Sequence, residues 1–405
     1  ATKHFVANQL AALVRKYPFP EGLVTFDPEG EARKKFVLSE DSCFRINTKF
    51  RTEAFRLNSD VQTTLTKMRR YIQYVIGYEP DVSDIFSGCG FGPGAVVGVH
   101  GNATNVKRKL LADSWSVSPK ALLYAVHAAS RDPRIWELVV PMYNDRYFSI
   151  SEKDFLRGFL AKTQLVDYNK IAFVPKTVKT HRSIAVEPLW NSFVQKGIDT
   201  NMRKRMKRVG IDLSDQSVNS EWARLGSIDC SADPYVTIDL SSASDSVSIE
   251  LVRDLLPPGW FQLLDATRSA NYQDGDVIKP YEKFCSMGNG FCFPLETLIF
   301  ASACVACGAE AANRDFLVYG DDIIVRRSVA DKLIPLLEEL GFSCNSDKTF
   351  VQGPFRESCG RDWFAGEDVR PYILDYRLDS VEALFKTLNL TRRNSRTTLF
   401  FADTR

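Results

Sequence analysis

Apolar and polar residues follow different periods in the two halves of the chain. In the first half apolar residues recur mostly at helical spacing, and the clearest stripe ends at Gly77. That stripe consists of Val61, Leu65, Met68 and Ile72. From Tyr235 onward, short runs rich in β-branched and aromatic residues alternate with helical stretches. The pattern predicts a mostly helical first part, followed by a region that mixes strands and helices.

The mixed region begins with a β-rich run that stops at an acidic residue. Tyr235 to Asp239 (YVTID) predicts a strand, and Asp245 to Leu256 then predicts a helix that ends at Pro257. Met287 to Gly290 (MGNG) predicts a glycine turn, which leads into an apolar helix that continues to Gly308. The sequence thus predicts that Asp239 lies at the end of a strand.

Two further apolar runs are separated by one glycine and two acids. Phe316 to Tyr319 and Ile323 to Val325 predict a β-hairpin with Gly320, Asp321 and Asp322 at its tip. A turn without function is the alternative, because Gly and Asp are common turn residues. The strand flanks and the acid upstream at the end of another strand favour a functional tip.

An amphipathic helix and an edge strand are predicted after the hairpin. The apolar positions of this helix are Leu333, Leu336, Leu337 and Leu340. Gly341 caps it, and the edge strand runs toward Lys348. This order of elements describes an α+β fold, in which an antiparallel sheet carries its helices on one face and strand ends can meet above it.

Length and composition add boundaries to this description. A chain of 405 residues exceeds the size of one hydrophobic core, so we expect two or three subdomains around a cleft. An apolar fraction of 44% with 25% charged residues is typical of globular proteins and argues against a disordered chain. We find no apolar run of about 18 residues, and Ala1 to Leu13 lacks the layout of a secretory signal. We therefore expect a cytoplasmic protein without a membrane partner.

The cysteines do not indicate a disulfide framework or a zinc site. They are nine in number, which is odd, and they are scattered over the whole chain. Cys304 and Cys307 form a C-x-x-C inside an apolar helical pattern, without a second pair or a nearby histidine. We predict that both are thiols of the hydrophobic core.

Positive charge is concentrated in one segment, although the whole chain has a net charge of only +2. Lys176 to Arg208 contains nine basic and two acidic residues, a local charge of +7. Such a stripe is typical of a site for a polyanion, such as an RNA backbone or a triphosphate. A solvated helix face is the alternative for Arg203 to Arg208. The glycine-dense stretch Phe86 to Gly101 lacks the ending of a phosphate-binding P-loop, which favours an ordinary loop.

Three carboxylates from distant sequence positions indicate metal-assisted chemistry. Asp239 on a strand, with Asp321 and Asp322 on a hairpin, would repel one another without a cation between them. Phosphoryl transfer depends mainly on positioning and charge neutralisation, and two Mg²⁺ ions held by hard oxygen ligands supply both. The sequence therefore predicts a site for two Mg²⁺ ions, with Mn²⁺ as a possible substitute.

Several motifs resemble the replicase catalytic subunits of positive-strand RNA bacteriophages, the Qβ-type family. The resemblance covers roughly residues 171–372 and is carried by Asp239 to Ser248 (DLSSASDSVS), Ser286 to Phe300 (SMGNGFCFPLETLIF), Val318 to Ile324 (VYGDDII), Phe355 to Gly360 (FRESCG), Phe173 to Glu187 (FVPKTVKTHRSIAVE) and Val209 to Asn219 (VGIDLSDQSVN). It implies an RNA-directed RNA polymerase that copies a single-stranded RNA genome by nucleotidyl transfer, without a primer, in the cytoplasm of a bacterial host.

The resemblance also implies a right-hand fold with fingers, palm and thumb, in which an antiparallel RRM-like palm sheet is backed by helices. Residues 1–165 would form a mostly helical region associated with the fingers, and 166–230 the fingers with the basic segment. Residues 231–350 would form the palm, interrupted by a fingers insertion at about 257–285. Residues 351–405 would complete the palm and begin the thumb.

Site residues follow from the same resemblance. Asp239, Asp321 and Asp322 correspond to the metal-binding aspartates of the family. Triphosphate contacts are implied for Lys176, Lys179 and Arg182, with plain surface cations as the alternative.

Nucleotide contacts are also implied for Asp245, Gly288 and Asn289. Asp245 and Asn289 stand where the ribose 2′-hydroxyl would be read, although Asp245 could instead cap a helix. Lys348 resembles the lysine proposed to protonate the departing pyrophosphate, with a structural lysine as the alternative.

Implied partners are template and product RNA, ribonucleoside triphosphates, the host elongation factors Tu and Ts, and a ribosomal protein. Two other functions remain open at this point. A reverse transcriptase also uses an acid on a strand and a Tyr-x-Asp-Asp hairpin, and Gly320 and the loop from Ser286 to Gly290 argue against it. The other is a catalytically inactive RNA-binding scaffold, which intact acids at all three positions disfavour.

Overall fold

The computed structural model describes residues 2–20, 23, 25–101, 103–140 and 151–394. Within them the helices are α1 (Thr2–Arg15), α2 (Pro28–Arg51), α3 (Ser59–Ile76), α4 (Val82–Ser87), α5 (Val106–Leu110), α6 (Leu122–Ala129), α7 (Pro133–Val139), α8 (Glu152–Lys162), α9 (Leu189–Arg208), α10 (Ser217–Ile228), α11 (Ile249–Leu255), α12 (Pro258–Thr267), α13 (Cys292–Ala306), α14 (Arg327–Glu339) and α15 (Val381–Asn394). Residues 141–150 and 395–405, parts of the predicted N-terminal and C-terminal regions, lie outside the described residues.

The strands of the described residues form two larger and two smaller sheets. They are β1 (Val96–Val97), β2 (Trp115–Val117), β3 (Thr163–Leu165), β4 (Asn169–Pro175), β5 (His181–Pro188), β6 (Tyr235–Ser241), β7 (Asn271–Asp274), β8 (Val277–Pro280), β9 (Phe316–Tyr319), β10 (Asp322–Arg326), β11 (Ser343–Cys344), β12 (Phe355–Ser358), β13 (Arg361–Phe364) and β14 (Glu367–Asp368). Helices and sheets are thus mixed, as the predicted α+β class requires.

A four-stranded sheet with the order β11-β6-β10-β9 is antiparallel throughout. It contains the predicted hairpin, since β9 and β10 pair directly, and the predicted edge strand, since β11 lies at one end. The helix predicted after the hairpin is α14. These three predictions from periodicity are confirmed.

Helices cover both faces of this sheet, so the prediction that they lie on one face is wrong. Val318 and Ile323 face the main core, to which α13 and α14 contribute. Leu317 and Ile324 alternate with them and form a second cluster with Ala223 of α10. Because β9 and β10 are apolar on both faces, each face needs cover from water. The sequence of α10 gave no signal that it would cover the second face.

A five-stranded sheet with the order β1-β5-β4-β7-β8 lies earlier in the chain. Its centre is the antiparallel hairpin of β4 and β5, in which Val174 pairs with Arg182. Strands β7 and β8 come from the segment at 257–285, yet β7 pairs in parallel with β4. The inserted segment therefore joins the sheet of the preceding region and not the four-stranded sheet.

Several local predictions can be compared directly with the structure. The apolar stripe of the first half forms α3, which ends at Gly77 with a φ of 75°. The helix predicted from Asp245 begins only at Ile249, because Asp245 lies in a separate 3₁₀ turn. Cys304 and Cys307 are buried in the main core as free thiols.

The glycine-dense stretch is mostly loop, apart from the end of α4 and the two residues of β1. Lys109 holds this loop in place, since its buried ammonium donates to the backbone oxygens of Gly92 at 2.7 Å and Gly94 at 2.6 Å. Among the described helices, none is long and apolar enough to cross a bilayer.

Candidate active site

Two aspartates form a cross-strand pair at the centre of the four-stranded sheet. Asp239 of β6 is paired with Asp322, the first residue of β10. Directly opposed residues of an antiparallel pair project from the same face, with Cβ atoms about 4.5–5.5 Å apart. Two like charges are therefore held side by side by backbone register. The predicted strand end needs correction, because β6 continues past Asp239 to Ser241 and pairs there with β11.

The hairpin tip places a third carboxylate beside this pair. Asp322 belongs to β10, so the turn itself consists of Gly320 and Asp321. Gly320 has a φ of 62°, and a Cβ added to it would lie 2.3 Å from a ring carbon of Phe293. Its N–H donates to Thr297 Oγ1 of α13 at 3.0 Å. Only glycine fits this turn, and α13 fixes the position of the adjacent Asp321.

Asp239 is the aspartate with the most complete set of partners. Its Oδ2 accepts from Lys348 Nζ at 3.0 Å, and its Oδ1 accepts from Asn345 Nδ2 at 3.1 Å. Lys348 also lies 3.5 Å from Glu357 Oε1. Burial alone would lower the pKa of Lys348, but the charges of Glu357 and Asp239 raise it above its usual value. Lys348 is therefore held protonated, and it compensates Asp239.

Asp322 and Asp321 are less well compensated. Burial, followed by the charges of Asp321 and Asp239, raises the pKa of Asp322 to about 6, against a hydrogen bond from the backbone of Cys359. Ser358 Oγ donates to Asp322 Oδ1 at 3.4 Å. Burial also raises the pKa of Asp321, and the charge of Asp239 adds to this effect. The site thus carries negative charge that its own side chains do not neutralise.

This charge suits a divalent cation, although a complete cage is not preformed. Asp239, Asp321 and Asp322 offer the hard oxygen atoms that Mg²⁺ and Mn²⁺ prefer. Within the described ranges, no group of three or more His, Cys, Asp and Glu side chains converges closely enough to hold an ion. The residues fit a cation by charge and ligand type, and closer convergence of the carboxylates would be needed for binding.

The hairpin of β4 and β5 brings two of the predicted cations toward these acids. Lys176 follows β4 directly, and Arg182 is the second residue of β5. Partial desolvation lowers the pKa of Lys176, and the positive charges of Arg182 and Lys348 lower it further. The charge of Lys176 in turn opposes the rise in the pKa of Asp321. Cations from one sheet and acids from the other therefore share one electrostatic environment.

Lys179 lies further along the same turn and is not linked to the aspartates in this way. Its Nζ lies 5.7 Å from the ring centroid of Phe26, and its side chain is exposed. Among the residues that the structure describes, neither Lys179 nor Lys176 nor Arg182 forms an ion pair with an acid. All three remain available to an anion from solution.

The three other predicted nucleotide contacts, Asp245, Asn289 and Gly288, are held by hydrogen bonds or by close packing within the protein. Asp245 Oδ1 accepts from Lys283 Nζ at 2.7 Å. Asp245 does not cap α11, because the N-cap position of that helix is Ser248. Asn289 is buried, and its Oδ1 accepts from the backbone N–H of Phe291 at 3.0 Å. Gly288 has a φ of 119°, and a Cβ there would lie 2.1 Å from the backbone oxygen of Ala185 in β5. The glycine turn is therefore packed directly against the basic hairpin.

Part of the basic stripe is neutralised within the protein. Asp199 Oδ2 lies 2.9 Å from Lys196 Nζ, and its Oδ1 lies 2.5 Å from Arg203 Nε. Lys204 pairs with Asp84 at 2.8 Å, and Lys207 pairs with Asp212 at 2.7 Å. The polyanion site predicted for the whole stripe is therefore best supported at the hairpin of β4 and β5, because acids pair with four of the cations of α9.

Sequence reasoning missed the residues that surround the aspartates. Asn345 and Ser358 donate to the carboxylates, and Glu357 contacts Lys348. Glu357 and Ser358 belong to the motif FRESCG and lie in β12. The motif was recognised in the sequence, but no function was predicted for either residue. Buried Glu296 of α13 was also missed, and its pKa is raised well above the usual value by burial and by the charges of Asp321 and Asp245.

Comparison with known proteins is consistent with this geometry. Residues 3–398 match the family described as RNA replicase, beta-chain. The chain is 36% identical to the RNA-directed RNA polymerase subunit beta of Escherichia virus Qbeta over 371 residues, which is 90% of this chain and 58% of the relative. It is also 36% identical to the protein of that name from Enterobacteria phage SP over 379 residues, which is 90% of this chain and 60% of the relative. The chain thus spans about three fifths of their length.

Among solved structures, the RNA-dependent RNA polymerase of BmCPV at its elongation state is similar to 80% of this chain and 31% of its own. The TM-score is 0.45 and the sequence identity is 13%.

Proposed function

This chain belongs to the RNA replicase beta-chain family, and we propose that it carries the catalytic centre of an RNA-directed RNA polymerase that replicates a single-stranded RNA phage genome. The cross-strand pair of Asp239 and Asp322, with Asp321 beside it at the hairpin tip, is the observation that carries the proposal. A fixed cluster of carboxylates with few compensating cations lowers the stability of the fold, so its presence indicates a functional site.

Asp239, Asp321 and Asp322 would hold two Mg²⁺ ions, or Mn²⁺ in their place. Bound ions supply charge neutralisation for the triphosphate and lower the pKa of the attacking hydroxyl. Asp239 and Asp321 are the firmest ligands in this proposal. Without a cation, Lys348 takes part of this role, because its ammonium lies 3.0 Å from Asp239 Oδ2.

Basic residues of the β4–β5 hairpin would bind the triphosphate. Arg182 presents a guanidinium fork that matches phosphate geometry, whereas Lys176 and Lys179 act as point charges. The packing of Gly288 against β5 supports a common nucleotide-binding surface, because it places the glycine turn directly beside the basic hairpin. Asp245 and Asn289 would read the ribose, and Lys348 would donate a proton to the departing pyrophosphate.

We propose the right-hand division of the chain with the boundaries given above. The pairing of β7 with β4 supports counting 257–285 as an insertion of the fingers into the palm. The antiparallel sheet of β11, β6, β10 and β9 would be the palm, with part of the thumb after residue 350.

Initiation without a primer and location in the bacterial cytoplasm remain predictions. The name "subunit beta" of two relatives supports the proposal that further subunits take part. The predicted partners are elongation factors Tu and Ts and a ribosomal protein. Affinity capture of the tagged chain from host lysate, with identification by mass spectrometry, would test them.

Synthesis of complementary RNA tests the central proposal. Purified protein with an RNA template, ribonucleoside triphosphates and Mg²⁺ or Mn²⁺ should extend RNA, and Asp321→Ala should abolish extension. Extension that persists in Asp321→Ala would contradict the proposed metal site. Preference for deoxyribonucleotides would instead indicate a reverse transcriptase, and RNA binding without synthesis in all conditions would indicate a scaffold.

A further inference from the structure

One face of helix α2 is buried although it carries polar side chains, and α2 lies far from the site residues in sequence. Phe36, Glu40, Cys43 and Asn47 follow one another at intervals of three and four residues and therefore share this face. All four are buried. The face packs against the 3₁₀ turn that contains Asp245 and against α11. The helix thus contacts the proposed ribose-reading residue from behind.

A buried lysine connects this helix to Asp245. Lys283 is 1% exposed, and its ammonium lies 2.7 Å from Asp245 Oδ1 and 3.7 Å from Glu40 Oε1. The same ammonium lies 3.9 Å from the ring centroid of Phe36. A buried charge destabilises a protein unless it is paired, and here the ammonium of Lys283 is paired with the carboxylates of Asp245 and Glu40.

Backbone pairing fixes the position of this lysine. Lys283 forms an antiparallel bridge with Ser248, and the N–H of Phe284 donates to Val247 O at 2.6 Å. Glu40 Oε2 accepts from the N–H of Glu282 at 2.7 Å. The lysine is therefore held between the segment that follows Asp245 and the helix α2.

The second oxygen of Asp245 is held much less firmly than the first. Within the part of the chain that the structure describes, Asp245 Oδ2 accepts a single long bond of 3.4 Å, from Ser183 Oγ of β5. Ser183 is the neighbour of Arg182, a proposed triphosphate ligand, so this oxygen is directed toward the nucleotide-binding hairpin. Because Lys283 bonds to Oδ1, the acceptor capacity that remains on the Asp245 carboxylate lies mainly at Oδ2.

We propose that Lys283, anchored by Glu40 of α2, is a positioning residue that orients the Asp245 carboxylate for recognition of the ribose 2′-hydroxyl. This inference rests on the proposed polymerase function. Lys283 occupies one oxygen of Asp245, so the other points toward β5 and can accept a hydrogen bond from the 2′-hydroxyl of a ribonucleotide. Helix α2 thereby takes part in substrate specificity without contacting the nucleotide.

Steady-state incorporation of UTP and dUTP on an RNA template tests this role. The ratio of the two kcat/KM values should fall about 10-fold or more in Lys283→Met, because a hydrogen bond to a charged group is lost, and KM for UTP should account for most of it. Asp245→Asn should lower the ratio similarly, and adding Lys283→Met to it should lower it no further. Lys279→Met, an exposed lysine on β8, is the matched control and should leave the ratio unchanged.

A purely structural role would give a different result. If Lys283→Met slowed UTP and dUTP incorporation equally, or added its full effect to that of Asp245→Asn, the positioning role would be wrong. Should Lys283→Met fail to fold, Glu40→Gln with Lys283→Met removes both partners of this ion pair together and must show the same loss in ratio.

A binding measurement separates failure of this inference from failure of the proposed function. Displacement of a fluorescent nucleotide by UTP or dUTP does not require synthesis. A wild-type chain that binds UTP more tightly than dUTP, but synthesises no RNA, would overturn the proposed function alone. Equal selectivity in wild type and Lys283→Met would overturn the positioning role alone.

Discussion

The aspartate hairpin and helix α9 both concentrate charge of one sign in the sequence, but the fold treats them in opposite ways. Asp199, Asp84 and Asp212 pair with four cations of α9. At the hairpin, backbone register places Asp322 opposite Asp239, and among the described residues Lys348 is the one cation that forms an ion pair with any of the three aspartates. Charge in α9 therefore contributes to the fold, whereas charge at the hairpin opposes it.

This difference shows that a run of like charge is a weak indicator of a binding site. Long cationic side chains of a helix can reach acids on neighbouring segments, which makes them a structural element. Short aspartate side chains on opposed strands cannot move apart, so their repulsion persists. Unrelieved charge, and not the local density of charge, indicates a place where a ligand or metal would bind.

The largest contrast is expected in activity. Asp239→Asn should reduce RNA synthesis by at least about 10³-fold, because electrostatic positioning provides most of the catalysis in phosphoryl transfer. Lys204→Ala, which removes a paired cation of α9, should change the rate by less than about 2-fold. Comparable losses in both variants, measured as initial rates, would erase the distinction between the two regions.

Stability should respond with opposite signs to the loss of an acid. Asp199→Asn leaves Lys196 and Arg203 without their buried partner and should destabilise the fold by about 2 kcal/mol. Asp322→Asn removes a buried charge and its repulsion from Asp321 and Asp239, and it should stabilise the metal-free protein by about 1 to 2 kcal/mol. Denaturant unfolding in EDTA measures both values, and destabilisation by Asp322→Asn would be the contrary result.

The dependence of stability on pH should identify Asp322 as a source of this destabilisation, which comes first from burial of its charge and then from the charges of Asp321 and Asp239. Its folded pKa of about 6 lies above the ordinary value of 3.8, so the folded state binds more protons than the unfolded state between these values. The contribution of Asp322 to stability is present below pH 4 and is lost as pH rises through 6. In Asp322→Asn the unfolding free energy should change less with pH in this window. Mg²⁺ bound by the aspartates should restore the stability of the unsubstituted protein at pH 7 and above.

The smallest expected contrast concerns cations of the two regions. Arg182→Ala should raise KM for nucleoside triphosphates about 10-fold, since a charge-assisted bond to phosphate is lost. Lys207→Ala, whose lysine is paired with Asp212, should leave KM within about 2-fold. Equal effects of the two substitutions on KM would mean that pairing in α9 does not withdraw its cations from substrate binding.

Sequence patterns predicted the local parts of this molecule well. Helix α3, the hairpin of β9 and β10, and the edge strand β11 follow from period and turn chemistry alone. The candidate acids were identified for the same reason, because Gly320 and Asp321 form a turn between two β-rich runs. Contacts of Asn345 and Ser358 with the acids were not predicted, since they depend on how distant segments dock.

What the sequence determined by itself is therefore which residues carry the chemistry and which local elements present them. Only the tertiary structure decided that Asp239 lies opposite Asp322, that Asp84 pairs with Lys204 of α9, and that Lys283 joins Asp245 to Glu40 of α2. Periodicity and turn propensity act over a few residues, whereas these pairings join residues that are 38 or more positions apart in the chain. The energy of a charge is set by its neighbours in space, which no local pattern specifies.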